Sequence, residues 1–324
     1  MPDKPRVAFY WCASCGGCEE AILDLNERIL DVVGQVDIVF WPVALDFKRQ
    51  DLEEMPDQSL AAAFVNGAVR SSEQEEMAHL MRRKAVLLFA FGSCAHLGGV
   101  PGLANLFTRA SLLAASYPET VPSDGLPALF ETVKTLNQVV PVDYYLPGCP
   151  PTPSIILPAI EALLSGKLPE KGSVVAPDRA LCEECPRKET RPADLAIAEF
   201  SRPHQALVDE TTCLLAQGLV CLGPATRSGC EALCVRGNMP CTGCFGPTSR
   251  VRDFGGKALS ALASIAAGNE DPAILRALEH IPDPAGTFYR YSLPSGLLQP
   301  LPYGRGSAKP RASASVHPTE ASHV

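Results

Sequence analysis

Residues 7–20 read VAFYWCASCGGCEE, a short apolar run that passes directly into a loop rich in cysteine and glycine. The run Val7–Trp11 has the length and composition of a buried β-strand. Beyond the loop, apolar residues recur at helical spacing across Glu19–Val33, and acidic residues stand in the first turn, where the helix dipole favours them. The sequence therefore predicts a strand, a tight loop and a helix in immediate succession.

The same alternation of strand and helix continues through the first half of the chain. Further strands are predicted at Val36–Val43, Leu60–Val69, Ala85–Gly92 and Val142–Leu146. Further helices are predicted at Ser72–Arg83, Leu103–Tyr117, Ala128–Gln138 and Pro153–Leu164. Alternation of this kind is typical of an α/β fold whose mostly parallel sheet is covered on both faces.

Length and charge exclude several classes of protein. The chain has 324 residues, enough for two domains, and a net charge of −8. A nucleic-acid binder held by phosphate contacts would carry a basic face, so no nucleic-acid partner is expected. No apolar run is long enough to span a membrane, and the N-terminus has no export signal. We therefore expect a cytoplasmic protein.

The composition and pattern of the sequence change after Gly166. Eight cysteines lie among glycines, prolines and short apolar runs between Leu181 and Phe245, and the segment shows little sign of a core of its own. Metal ligation could replace that core. Helices are predicted near Pro192–Phe200, Glu210–Gln217, Gly255–Ala267 and Asp271–His280. Residues from Tyr303 onward have the composition of a solvated tail.

The cysteines are the candidate metal ligands of the chain. There are thirteen, which is three sets of four with one left over. In a reducing compartment, clustered cysteines are more typical of metal ligands than of disulfides. Cys15, Cys18, Cys94 and Cys149 each follow the carboxyl end of a predicted strand, and these ends meet where open α/β sheets bind ligands. Four thiolates there suit an iron–sulfur cube, which takes one cysteine per iron.

A second constellation occupies the C-terminal part. The pairs Cys182/Cys185 and Cys241/Cys244 enclose four more cysteines, at positions 213, 221, 230 and 234. Eight thiolates fit two four-ligand sites, which could be iron–sulfur clusters or zinc sites. Spacing alone leaves both metals open.

Three motifs of the first half together resemble the small, electron-transferring subunit of nickel–iron hydrogenases: Cys15-Gly16-Gly17-Cys18-Glu19-Glu20, Gly92-Ser93-Cys94-Ala95 and Pro147-Gly148-Cys149-Pro150. The resemblance extends through Cys213, Cys221-Leu-Gly-Pro224, Cys230 and Pro240-Cys241-Thr-Gly-Cys244, from about residue 6 to residue 248. It implies a flavodoxin-like parallel-sheet domain over residues 1–166 that carries a proximal cluster. It further implies an irregular, iron–sulfur-stabilised domain over 167–302 with medial and distal clusters, followed by a disordered tail over 303–324.

The resemblance also implies the ligands of three 4Fe–4S clusters. The proximal set is Cys15, Cys18, Cys94 and Cys149, the distal set is Cys182, Cys185, Cys213 and Cys221, and the medial set is Cys230, Cys234, Cys241 and Cys244. Many periplasmic relatives have a histidine where this chain has Cys182 and a proline where it has Cys234. Both departures, and the lack of an export signal, resemble the cytosolic group of these enzymes. Within that group, the opening Trp11–Cys15 is most similar to the methyl-viologen-reducing, F420-non-reducing type. Cys12 is left over and is interpreted as structural.

The same resemblance implies partners and a division of labour. The nickel–iron centre lies in a large partner subunit, so no catalytic residue is expected in this chain. Glu20, beside the proximal loop, is expected to serve either the structure or proton movement. Electrons would pass to a small iron–sulfur adaptor and heterodisulfide reductase-like proteins, or to a flavin–NAD(P) module.

Three alternatives to this interpretation fit the sequence less well. The proximal-cluster subunit of respiratory complex I has adjacent cysteines in its first motif, whereas Gly16 and Gly17 separate Cys15 from Cys18 here. A zinc-stabilised interaction scaffold is the non-enzyme alternative, and iron and sulfide analysis distinguishes it. A flavoprotein is disfavoured because the loop after the first strand lacks the Ser/Thr donors that suit a phosphate.

Overall fold

The computed structural model describes residues 4–117, 125–266, 281 and 283–297. Its centre is a five-stranded parallel sheet in the order β2-β1-β3-β5-β7. These strands are β1 Arg6–Trp11, β2 Asp37–Phe40, β3 Leu60–Asn66, β5 Ala85–Phe91 and β7 Tyr144–Leu146. The strands β4 Val69–Ser71 and β6 Leu129–Lys134 form a separate antiparallel pair. The predicted α/β fold with a parallel sheet is confirmed.

Helices connect the strands and continue into the C-terminal part. In the first part of the chain they are α1 Gly17–Leu23, α2 Arg28–Gln35, α3 Arg49–Glu54, α4 Ser72–Lys84, α5 Ser93–Leu97, α6 Arg109–Ser116 and α7 Pro153–Leu164. The later ones are α8 Leu233–Arg236, α9 Phe254–Ala263 and α10 Pro284–Phe288. Within the described ranges, no helix is long and apolar enough to cross a membrane.

The two faces of the sheet carry different cores because successive side chains of a strand point to opposite faces. Phe9, Phe64 and Phe89 stand in register on neighbouring strands, and their stacked rings lie 5.0 and 4.8 Å apart. The residues directly before them in the chain, among them Ala8 and Leu88, are buried in the core on the opposite face. Burial on both faces is what a parallel sheet requires.

Three predicted helices of the first half differ from the structure. The prediction at Ala128–Gln138 is wrong: β6 pairs with β4 there, and a short 3-10 turn follows. The predicted helix Glu19–Val33 is divided into α1 and α2, with Asn26 between them at a φ of 52°. The predicted helix Leu103–Tyr117 is a 3-10 helix followed by α6, and the hydroxyl of Thr108 accepts the Ser111 amide in the first turn of α6.

The C-terminal part has a core of its own, contrary to expectation. Phe200, Leu215, Leu219, Phe254 and Leu262 are all buried together. The segment therefore does not depend on metal ligation alone to bury apolar surface.

Regular structure is sparse in this part. The helix predicted near Gly255–Ala267 is confirmed as α9. The helices predicted near Pro192–Phe200 and Glu210–Gln217 are wrong: the first segment is irregular and bridges to Ala266 at Ile197, and the second consists of bends and turns. At the second, the Asp209 carboxylate accepts the amides of Thr211 and Thr212, a local bond that competes with a helix. Residues 271–280 and 303–324 lie outside the described residues, and the domain boundary at 166 stays a prediction.

Candidate metal centres

The proximal set is built by three loops at the carboxyl ends of β1, β5 and β7. Hydrogen bonds fasten two of these loops together: the Gly92 amide donates to Leu146 O over 2.8 Å, and the Ser93 amide donates to Gly148 O over 2.7 Å. Cys18 and Cys94 are buried, whereas Cys15 and Cys149 are exposed. The four thiols therefore line a single edge of the sheet, with one side open to the surface.

Two glycines let the backbone approach the sulfurs of this set. A Cβ atom on Gly92 would overlap Sγ of Cys18, and a Cβ atom on Gly99 would overlap Sγ of Cys94. Both glycines also have a positive φ, +86° and +60°, which other residues rarely adopt. The sequence at these positions is thus fixed by space around the sulfurs and by backbone conformation together.

The charges of the four proximal thiols act on one another. Burial raises the pKa of Cys18, and the charges of Cys94, Cys149 and Cys15 raise it further. Burial and the charges of Cys149 and Cys15 raise the pKa of Cys94 to about 12. Because Coulomb effects fall with distance, these mutual effects reflect the closeness of the group. Bound iron, as a cation, would reverse this penalty on the thiolates.

The distal set surrounds a cavity. Cys182, Cys185 and Cys213 line an open cavity of about 390 Å³ together with three basic side chains, those of Arg187, Lys188 and Arg191. Burial raises the pKa of Cys182 to about 12, and the neighbouring charges of Cys221, Cys185 and Cys213 contribute. Both Cys182 and Cys221 lie beside Gly223, where an added Cβ would come within 3.3 and 3.7 Å of their sulfurs.

The medial set lies between the other two. Burial raises the pKa of Cys244 to about 12, and the charges of Cys230, Cys149 and Cys234 also act on it. Cys241 is deeply buried, its pKa is raised by burial and by the charges of Cys221 and Cys244, and its Sγ lies 3.5 Å from Thr226 Oγ1. The structure thus brings all four predicted residues into one neighbourhood.

Hydrogen bonds connect the three sets in a row. Ser93 Oγ, directly before Cys94 of the proximal set, donates to the carbonyl oxygen of Cys244 of the medial set. On the far side, the Cys241 amide donates to Sγ of Cys221 over 3.4 Å. The order in space is proximal, medial, distal.

The donor chemistry suits iron–sulfur clusters. In the part of the chain that the structure describes, no three His, Cys, Asp or Glu side chains converge closely enough to hold one metal ion. A 4Fe–4S cube takes one cysteine per iron, so its four sulfurs are spread around the cube. Three groups of four thiols, the glycines that give room beside them and the distal cavity all fit such a group.

Comparison with known proteins places the chain in a family. Residues 15–163 match the family model "NADH ubiquinone oxidoreductase, 20 Kd subunit". The iron-sulfur subunit of the F420-non-reducing hydrogenase of Archaeoglobus profundus is 38% identical over 90% of this chain and 97% of its own length. The corresponding F420-non-reducing hydrogenase subunit of Methanothermobacter thermautotrophicus is 36% identical over 92% and 97%. The chain belongs to this family of F420-non-reducing hydrogenase subunits. It is thus the small-subunit type predicted from its motifs.

The solved structures agree on the fold of this hydrogenase subunit. The [NiFeSe] hydrogenase of Desulfovibrio vulgaris Hildenborough superposes with a TM-score of 0.53 at 18% identity, over 76% of this chain and 95% of the other. At that identity the likeness speaks for the fold alone. As a hydrogenase subunit, the chain takes part in oxidoreductase chemistry within a complex.

The acidic residue that the structure places beside the proximal loop is Glu19. Its carboxylate is buried, with one oxygen accepting from Asn66 Nδ2 over 2.5 Å and the other from Trp41 Nε1. Burial raises the pKa of Glu19, while these two hydrogen bonds lower it. Ser14 Oγ donates to Asn66 Oδ1 over 3.0 Å, which brings the proximal loop into the same network.

Glu20, the residue predicted from sequence, is exposed on α1. Two acidic residues stand side by side in the sequence, and only the direction of α1 decides which is buried. Cys12 is buried at the end of β1, its amide donates to Asn66 O over 2.8 Å, and burial raises its pKa to about 12. That position fits the structural role expected for it.

Proposed function

We propose that this chain carries electrons between a nickel–iron site in a large partner subunit and an external redox partner, through three 4Fe–4S clusters. The observation that carries the proposal is the row of three thiol sets, in which hydrogen bonds join the medial set to the proximal loop at Ser93 and to the distal residue Cys221. A row of this kind suits electron transfer in steps, whereas isolated structural metal sites need no such contact.

The residues of the chain have distinct tasks in this proposal. When bound, the clusters would supply one-electron carriers, so that the two electrons of H2 ⇌ 2 H⁺ + 2 e⁻ pass singly. The proximal, medial and distal sets would hold them in that order. Gly92 and Gly99 admit backbone N–H groups near the sulfurs, and burial of Cys18, Cys94 and Cys241 limits water there. Residues 1–166 and 167–302 would form the two cluster-bearing domains.

The surface around the proximal loops fits a large partner. Val43 and Leu45 follow β2, and Val100 and Phe107 follow β5, all at the carboxyl edge of the sheet and each close to half exposed. An obligate partner would cover such apolar side chains, and obligate interfaces commonly bury more than about 2,000 Å². The hydrogen reaction itself would then be catalysed by the complex, and this chain would carry the electrons.

The distal set, at the end of the row away from the proximal set, would face the external redox partner. Beside the distal set, a cavity opens to solvent, and its lining has the exposed cations Lys188 and Arg191 against one exposed carboxylate, Glu183. This excess of positive charge suits an acidic docking surface. The chemistry of the subtype favours a small iron–sulfur adaptor with heterodisulfide reductase-like proteins, with a flavin–NAD(P) module as the alternative. The thiolate sites would be assembled in the reducing cytoplasm.

Metal analysis of the anaerobically purified complex tests the proposal. About twelve irons and as many acid-labile sulfides should be attributable to this chain, on four irons per cluster. Two equivalents of zinc with only about four irons would overturn the C-terminal assignment and support the zinc-stabilised scaffold instead. Hydrogen should reduce all three clusters in the intact complex, as followed by EPR.

A further inference from the structure

Arg187 is a buried cation in the C-terminal part of the chain. It lies two residues after Cys185, is only 4% exposed, and lines the cavity shared by Cys182, Cys185 and Cys213. Lys188 and Arg191 line the same cavity but are exposed, as most charged residues are. A buried arginine beside three thiols needs a physical reason.

The hydrogen-bond partners of Arg187 are all neutral oxygens. Nη1 donates to Asp209 O over 3.0 Å and to Thr212 O over 3.3 Å. Nη2 donates to Asn238 Oδ1 over 2.7 Å and to Val235 O over 3.2 Å. Across the described ranges, no carboxylate lies within salt-bridge distance of the guanidinium. Both Nη groups are satisfied, but the charge is not paired.

An unpaired buried charge is costly because it leaves water without gaining an opposite charge. An arginine does not escape this cost by losing its proton, since guanidinium remains charged in proteins. Some other negative charge must therefore offset it. Glu183 also lines the cavity, but it is exposed, so solvent screens its charge. The partly buried candidates in this cavity are the three thiolates.

The same hydrogen bonds place Arg187 between two thiol sets. Thr212 directly precedes Cys213 of the distal set, and Val235 directly follows Cys234 of the medial set. The guanidinium thus fastens one loop of each set. Four thiolates around an iron–sulfur cube give a net negative group, and each added electron makes it more negative.

We propose that Arg187 raises the reduction potential of the distal cluster by placing an unpaired buried cation against its cavity, a role that rests on the proposed function. A nearby cation stabilises the more negative, reduced form, and charge around a cluster is one of the determinants of its potential. Arg187 is thus a potential-tuning and positioning residue, and it donates to no group that reacts.

Redox titration followed by EPR, on the complex with its large subunit, tests this role. Arg187→Gln should lower the ratio of reduced to oxidised distal cluster about tenfold at a fixed potential, which corresponds to about 59 mV for one electron. Arg187→Lys keeps the charge and should restore most of that shift. Arg236→Gln removes a charge near the same loop from an exposed position, where solvent screens it, and should leave the potential unchanged.

The variants separate a charge effect from a structural one. If Arg187→Gln loses iron, Arg187→Lys decides: a potential close to that of the wild type supports the role, and a potential well below it overturns it. Equal potentials in the wild type and Arg187→Gln, with iron retained, overturn the inference alone. A wild-type complex that lacks a distal 4Fe–4S signal overturns the proposed function as well.

Discussion

The backbone amide of Cys241 donates a hydrogen bond to Sγ of Cys221 over 3.4 Å. The two cysteines belong to the proposed medial and distal sets, so these neighbouring sites are in direct contact. A second bond, from the Leu222 amide to Cys241 O over 2.9 Å, fixes the two segments against each other. These two hydrogen bonds keep the two redox sites at a constant separation, which stepwise electron transfer between them requires.

Gly92→Ala should remove the proximal cluster. The added Cβ would overlap Sγ of Cys18, at a φ of +86° that already disfavours alanine. Gly172→Ala is the matched control, because Gly172 has a φ of +89° but nothing within 4 Å of an added Cβ. We expect about four fewer irons in Gly92→Ala and a full complement in Gly172→Ala. Equal iron contents would show that the space beside Cys18 is not needed by a cluster.

Cys234→Pro should convert the medial cluster to a three-iron form, because one thiolate and its iron are lost. Cys234 is the second residue of α8, a position near a helix start where proline is tolerated. Cys234→Ala removes the thiol without the proline and should give the same result. The measurement is the EPR spectrum of the oxidised complex, which should gain a three-iron signal in both variants. An unchanged spectrum in a folded complex would exclude Cys234 as a ligand.

The sequence was sufficient for the features that depend on local pattern. The strand Val7–Trp11 and the helix starting at Ser72 are borne out, because the composition of each short segment is enough to define it locally. The segment Leu129–Lys134 is a strand only because it pairs with Val69–Ser71, about sixty residues away in the chain. No local pattern could reveal that pairing.

The residues of the candidate sites also fall into two groups, those that the sequence predicted and those that it could not predict. Cysteine spacing, together with the family resemblance, predicted sets of residues that the structure brings close together. Glu19 and Arg187 could not be predicted, because their importance comes from burial and from partners distant in sequence. For Glu19 those partners are Trp41 and Asn66, and for Arg187 they include Val235 and Asn238. Only folding shows which of two adjacent charged residues is buried.

Asp143→Asn should destabilise the part of the chain that contains the parallel sheet. Burial alone would raise the pKa of Asp143, but Lys171, Arg82 and the Leu88 amide donate to it and hold that pKa below its ordinary value. The Arg82 bond is 2.5 Å long and largely buried. Losing charged hydrogen bonds of this kind costs about 2 kcal/mol. The thermal denaturation midpoint of the complex should fall, whereas Glu53→Gln, in an exposed pair with Arg49, should change it little.

The pH dependence of that effect has a definite sign. A carboxyl whose pKa is lowered on folding stabilises the fold above its unfolded pKa, about 3.9 for Asp. That stabilisation is lost only as the pH falls through the lower, folded value. The difference between the wild type and Asp143→Asn should therefore stay constant from about pH 8 to about pH 5. A difference that shrinks as the pH rises from about 5 to about 8 would instead mean that folding raises the pKa of this carboxyl.

Glu19→Gln and Glu20→Gln should separate a structural carboxylate from an exposed one. The glutamine amide at position 19 would present its own N–H to either Asn66 Nδ2 or Trp41 Nε1, both of which are donors. A buried donor left without an acceptor costs about 1–3 kcal/mol, and the strain falls on the loop that carries Cys15 and Cys18. We expect a lower denaturation midpoint and faster loss of the proximal EPR signal in air.

Glu20→Gln, one residue along on the exposed side of α1, should leave the denaturation midpoint unchanged, since surface substitutions cost within about 0.5 kcal/mol. Its hydrogen-oxidation rate then decides the remaining question about this residue. A slower rate with an intact proximal signal would assign Glu20 to proton movement, and an unchanged rate would leave it with no role in catalysis. If Glu20→Gln, rather than Glu19→Gln, released the proximal cluster, the network around Asn66 would not be what holds that loop.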